Sequence, residues 1–201
     1  LHKVGSNNPD GIEIKENKDE NGIPKDGIPF HPYYTVKDIV GVAGFLALFA
    51  AVVFFWPTFG GLFLEAPNFQ PANPLKTPEH IAPVWYVTPY YAILRAVPPM
   101  FGSQFPGVVV MFAAIIIMFF LPWLDRSPVK SMRYKGPIFK SALALFAVTF
   151  IMLAWLGLEA ATPVKTVLAQ IFTTLYFLFF LAMPFYTKWE KTKPVPERVT
   201  K

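Results

Sequence analysis

The chain has 201 residues, 54% hydrophobic and 15% charged, with a mean hydropathy of +0.41. That is too apolar for an ordinary soluble domain, and the lack of cysteine excludes disulfides, thiol catalysis, cysteine-bound zinc and iron–sulfur clusters held by this chain. A net charge of +5 would suggest nucleic acid in a soluble protein, but these bases flank long charge-free windows, so they read as membrane-topology signals and no nucleic-acid partner is expected.

Residues 1–37 are polar and turn-rich, with Asn7-Asn8-Pro9-Asp10-Gly11, Asn21-Gly22, Pro24, Pro29 and Pro32 breaking regular structure. They read as a surface loop. The opening LHKVGSNNPDG has neither an initiator Met nor the parts of a signal peptide, which implies a processed product or a piece of a longer polypeptide. Segment 38–56 holds the first span: from Ile39 to Trp56 the run IVGVAGFLALFAAVVFFW carries no charge and stops at Pro57, enough for a helix to cross a hydrocarbon core. Gly107–Leu124, Ser141–Leu158 and Thr166–Thr187 pass the same test, with Pro122 and Pro184 near ends where a kink costs least. Backbone groups facing lipid must be satisfied within the segment, so all four are expected to be helices. The expected fold class is an all-α integral membrane protein of four transmembrane helices, joined by a long loop 57–106, a basic loop 125–140 and a short loop 159–165, with a basic tail 188–201.

Four spans put residues 1–37, the loop 125–140 and the tail on one side, which holds all but Lys76, Arg95 and Lys165 of the 18 basic residues. By the positive-inside rule that side is cytoplasmic, and the loop 57–106 faces outward. This outer loop carries nine prolines from Pro57 to Pro99 and the ring-rich stretch IAPVWYVTPYYAILRAVPP. A connection this long is more often functional than idle, and residues 83–98 suit a short amphipathic helix at the interface. Two readings stand side by side for Trp85, Tyr86, Tyr90 and Tyr91: an interfacial aromatic belt, or the wall of a site. Arg95 reads as an anchor of the loop helix or as a snorkelling charge, with no catalytic role.

Four stretches, taken in order, are distinctive: LHKVGSNNPDG at the start, PFHPYYTVKD before the first span, then NPLKTPEHIAPVWY and YAILRAVP between the first and second spans. Together they resemble the C-terminal half of cytochrome b from bacterial ubiquinol:cytochrome c reductases, along essentially the whole chain. The resemblance implies the last four of eight transmembrane helices, in a bacterial inner membrane, with electron transfer coupled to proton translocation. It also implies an oxidoreductase subunit that is inactive alone and works with the N-terminal half of cytochrome b, a Rieske iron–sulfur protein and cytochrome c1, in a dimeric complex surrounded by lipid. The cofactors it implies are ubiquinone or ubiquinol and two haems b ligated by the N-terminal half; His2, His31 and His80 lie in loops or flanks here, so no metal site is expected in this chain. The alternative function class is a polytopic transporter or a structural subunit without a redox role, but transport sites place ionisable residues within spans, and these spans avoid them.

Quinone chemistry moves electrons with protons, so each site needs hydrogen-bonding groups at the ring oxygens and a proton route. On the cytoplasmic side, His2, Ser6, Asn7, Lys37 and Asp38 match the family's quinone-reduction site, where an imidazole and a carboxylate can each deliver a proton. Asp38 has a plainer reading as a cap of the first span. His31, Tyr33 and Tyr34 read as loop anchors. On the outer side, Pro83, Val84, Trp85 and Tyr86 align with the family's Pro-Glu-Trp-Tyr motif of the quinol-oxidation site, and Tyr91 matches a further wall tyrosine. A phenol, with its ordinary pKa of about 10, serves there as a hydrogen-bond partner, not a base. Val84 replaces the glutamate that the family uses as a proton acceptor, and it can neither titrate nor hydrogen-bond. Glu79 in TPEHIAP is the candidate substitute base; its plainer reading is a solvated loop carboxylate.

Overall fold

The computed structural model describes residues 8–12, 18–22, 25, 27–64, 66–76, 81–100 and 102–197. It forms two compact units, Leu1–Ala72 with Val195–Lys201, and Asn73–Pro194. The described residues contain helices and turns but no strand, only isolated bridges such as that between Met100 and Ser103. Four helices are long and apolar enough to cross a membrane.

In the first unit, Asn8 closes a local turn by accepting from the backbone N–H of Asp10 and of Ile12, both at 3.1 Å. Helix α1 then runs Tyr33–Phe55 and buries none of its residues. A helix apolar on every side needs lipid or other helices around it. It begins before the apolar run, because the N–H groups of Tyr34 and Val36 already reach Phe30 O at 2.8 Å and Pro32 O at 2.9 Å. Asp38 therefore lies in the second turn and does not cap the helix; Pro32 holds the N-cap position, with no side-chain cap. Trp56 and Pro57 end α1, since a proline lacks the N–H that would continue the ladder.

The second unit holds α2 (Thr88–Ala96), α3 (Phe105–Leu124), α4 (Pro137–Leu158), α5 (Pro163–Leu181) and α6 (Met183–Trp189). All five carry a proline in their first two positions, where its fixed φ suits the helix and its missing N–H costs nothing. The same residue type explains two interruptions. Ahead of Pro122, α3 tightens into a 3₁₀ stretch, Ile117–Phe120, and ahead of Pro184 the ladder of α5 stops at Leu181 before α6 restarts. The run that reads in sequence as one span to Thr187 is thus a spanning helix followed by a separate short one.

Lipid removes most of the hydrophobic drive between spanning helices, so small residues and interhelical hydrogen bonds must hold them together. Ala92, Ala96, Ala114 and Ala169 are all buried, and the Tyr176 hydroxyl of α5 donates to Ala114 O of α3 at 2.9 Å, just before the 3₁₀ stretch. Phe146 of α4 stacks on Phe179 of α5 with ring centroids 4.4 Å apart and meets Tyr176 and Phe180 at 5.2 and 5.4 Å. The short α2 sits within this packing, against α3, α4 and α5, with Thr88, Pro89, Ala92, Ile93 and Ala96 buried. Its sequence suggested a helix resting at the interface; its small inward face lets it dock into the bundle.

The other end of the unit is tied by charges turned inward. Buried Lys135 pairs with Asp125 and lies 3.8 Å from the centroid of the Phe139 ring. Buried Glu190 accepts from the Phe139 N–H at 2.8 Å in the first turn of α4, where a carboxylate suits the helix dipole. The Lys193 N–H donates to Tyr134 O at 2.8 Å and draws the chain after α6 back onto the basic loop.

Candidate functional site

The ring-rich stretch folds as a tight turn followed by α2. Val87 N–H donates to Val84 O at 2.9 Å, and the Thr88 hydroxyl donates to Trp85 O at 2.6 Å, which fixes the turn to the start of the helix. Trp85 and Tyr86 meet edge to face at 5.6 Å. Val84, Trp85 and Tyr86 stay exposed, Tyr86 at 61%, while Pro83 is half-buried. These hydrogen bonds hold the backbone of the turn while the Val84, Trp85 and Tyr86 side chains remain exposed.

Both ends of α2 are pinned. At its start, the Thr88 backbone lies against Gly157 of α4, so close that a Cβ on that glycine would overlap the Thr88 carbonyl. At its end, Gln104 donates to Leu94 O at 2.9 Å and Val97 O at 3.0 Å, and Gln170 of α5 donates to Ala96 O at 3.0 Å. These two amides satisfy carbonyls that a helix C-terminus leaves without partners. Gly107 of α3 completes the approach, because a Cβ there would stand 2.5 Å from Leu94 O.

Arg95 reaches from α2 to the last turn of α4, donating to Leu156 O at 2.6 Å and twice to Glu159 O at 3.1 Å. A cation at a helix C-terminus is favourably placed in its dipole. Of the two readings of Arg95, anchor and snorkelling charge, the anchor is the one found. Its Cζ also lies 4.7 Å from the ring centroid of half-buried Tyr91. Tyr90 packs edge to face on Phe150 at 6.1 Å, and burial pushes its phenol above the ordinary value.

Pro83, Val84, Trp85, Tyr86 and Tyr91 are thus assembled on one turn-and-helix element. On α1, Lys37 and Asp38 are adjacent and exposed, with the Lys37 Nζ 5.6 Å from the Tyr34 ring centroid, and the His31 ring nitrogen 3.3 Å from the Thr35 hydroxyl. His2, Ser6, Asn7 and Glu79 lie outside the described residues. Sequence reasoning missed Gly157, Gln104 and Gln170. Only the neighbours they touch reveal them; a glycine in LGLE and two isolated glutamines carry no signal alone. The four spanning helices contain no histidine, so none of them can supply an imidazole to a haem iron.

Similarity to known proteins now bears on this geometry. A family model described as cytochrome b (C-terminal)/b6/petD matches residues 71–177, a range that includes the whole turn-and-helix element, α3, α4 and most of α5. The chain belongs to this cytochrome b family. Cytochrome b of Allochromatium vinosum is 72% identical over all of this chain and 49% of its own length. Cytochrome b of Rhodospirillum rubrum is 46% identical over all of this chain and 46% of its own length. A solved chain of a hyperthermophilic respiratory complex III superposes with a TM-score of 0.79 at 39% identity, covering 94% of this chain and 45% of that one. The chain therefore spans about half the length of the cytochromes b it matches. Its all-helical fold with four helices of spanning type is that of a multi-pass membrane protein.

Proposed function

We propose that this chain is the quinone-handling half of cytochrome b in a bacterial respiratory quinol:cytochrome c oxidoreductase. The observation that carries the reading is the Pro83–Tyr91 element: an aromatic wall with a fixed backbone and open side chains, in the part of the chain the family model matches. In this reading Pro83, Val84, Trp85, Tyr86 and Tyr91 bound a quinol-oxidation pocket on the outer side. The Tyr86 hydroxyl hydrogen-bonds a quinol oxygen, and the flat faces of Trp85 and Pro83 confine the ring. Oxidation releases two protons, and Val84 can take neither. Glu79 takes over as acceptor, aided by water. A Rieske iron–sulfur protein and haem b would accept the two electrons, and the N-terminal half would hold the two haems b, since the spans here offer no imidazole.

At the cytoplasmic side, His2, Ser6, Asn7, Lys37 and Asp38 form the quinone-reduction site, where His2 and Asp38 supply protons to the reduced ring. With the capping role of Asp38 removed by the early start of α1, a carboxylate exposed one turn into a membrane helix is left for such chemistry. Ubiquinone is the proposed substrate. Cytochrome c1 and a second copy of the complex complete the assembly in the bacterial inner membrane, with residues 1–37 and the tail cytoplasmic. Isolation of the complex that contains this chain tests the reading. It should show b-type haem reduced by ubiquinol and quinol-dependent reduction of cytochrome c. A preparation with neither would point to the transporter or structural alternative.

A further inference from the structure

Arg95 does two things at once. Three hydrogen bonds from its terminal nitrogens to Leu156 O and Glu159 O fix the plane of its guanidinium at the end of α4. That fixed plane stands over the Tyr91 ring, one helical turn earlier on α2, at 4.7 Å from the centroid. Residues four apart on a helix share a face, so the two side chains meet without any distortion of α2. A planar, weakly hydrated guanidinium can stack on a ring while its fork is engaged elsewhere; a lysine offers one point charge and cannot do both. The ring of Tyr91 is therefore held by an element, α4, that lies outside the turn carrying Pro83 to Tyr86.

We propose that Arg95 is a positioning residue of the quinol pocket, acting through Tyr91: it locks the ring in one rotamer so that the wall is preformed before quinol arrives. This rests on the reading of Tyr91 as part of that pocket. A preformed wall lowers the ordering cost of binding, so loss of Arg95 should appear mainly in KM for quinol, with a smaller effect on kcat.

The test is a double-mutant cycle in the complete oxidoreductase complex, using Tyr91→Ala, Arg95→Gln and the double variant, with the haem b spectrum as the check of assembly. Arg95→Gln is expected to raise the quinol KM about tenfold in the native background, the size of a lost, partly desolvated cation–π contact. In the Tyr91→Ala background it should change KM less than about twofold, because residues that act together are not additive. If Arg95→Gln still raises KM about tenfold without the Tyr91 ring, Arg95 serves only as an anchor of α2 and the proposal fails while the pocket stands. If Tyr91→Ala alone leaves KM and kcat unchanged, Tyr91 is not in the pocket and the underlying reading fails first. Should Arg95→Gln not assemble, Arg95→Lys in the same cycle decides, since it keeps the charge but loses the fork. Its KM should also rise in the native background and not in the Tyr91→Ala background.

Discussion

Replacing Gly157 with alanine puts one methyl group where α2 and α4 touch. The added carbon would overlap the Thr88 carbonyl oxygen and stand 2.7 Å from the Thr88 carbonyl carbon and 2.8 Å from its Cβ. Two of these atoms are backbone and the third, Cβ, is bonded directly to it, so no flexible side chain can give way. The helices must separate by something approaching 1 Å, and overpacking of this kind costs about 1–3 kcal/mol. Thr88 opens α2 and is tied to the Trp85 carbonyl, so the displacement passes directly to Trp85 and Tyr86. A misplacement of about 1 Å at a reacting group can cost on the order of 100-fold in rate. Gly157→Ala should therefore lower kcat/KM for quinol oxidation by about 10- to 100-fold while the complex keeps its haem b spectrum, and Gly157→Val should be worse. Steady-state kinetics on the assembled complex measures this. A Gly157→Ala complex with native kcat/KM would refute the idea that this approach positions the aromatic wall.

Glu79→Gln tests the substitute base: quinol oxidation should slow and its pH dependence should flatten on the acid side, and a native rate with a native pH profile would end that idea. Asp125→Asn should destabilise the protein more than Lys135→Met, because the first strands a buried ammonium and the second leaves a carboxylate that is 32% exposed. About 3 kcal/mol is expected for the first, less for the second, and the pair together should cost less than the sum; thermal unfolding of the solubilised complex reads all three. Burial holds the Tyr90 phenol above its ordinary value, so its ionisation disfavours the folded state. The penalty is absent below about pH 10 and grows as pH rises toward the raised value, so Tyr90→Phe should blunt alkaline unfolding measured relative to its own stability at neutral pH.

The spans were legible because each is a charge-free run of membrane length, and that signal survives any detail of packing. Their ends were not. The first turn of α1 contains Tyr33, Thr35 and Val36 and is followed by Lys37 and Asp38, a mixed stretch that hydropathy discards but that backbone hydrogen bonds to Phe30 and Pro32 make helical. The restart after Leu181 depended on how Pro184 would be accommodated, here at the second position of a new helix. At the site, the ring-bearing residues stood out in the sequence because their chemistry is unusual in a loop. The residues that place them did not, since Gly157 matters only through the Thr88 carbonyl, and Gln104 and Gln170 only through the carbonyls at the end of α2. Lys135 and Glu190 lie in the basic loop and tail, where charge suggests exposure; both are buried, in the region where the Lys193 to Tyr134 contact folds the chain after α6 back.

The central claim is that the Pro83–Tyr91 element faces bound quinol. Photolabelling of the intact complex with a light-activated ubiquinol analogue, followed by peptide mapping, tests it most directly. Labelling should fall within residues 83–91 and should be suppressed by excess ubiquinol. No saturable label within residues 83–91, or label on these residues that excess ubiquinol does not displace, would contradict it.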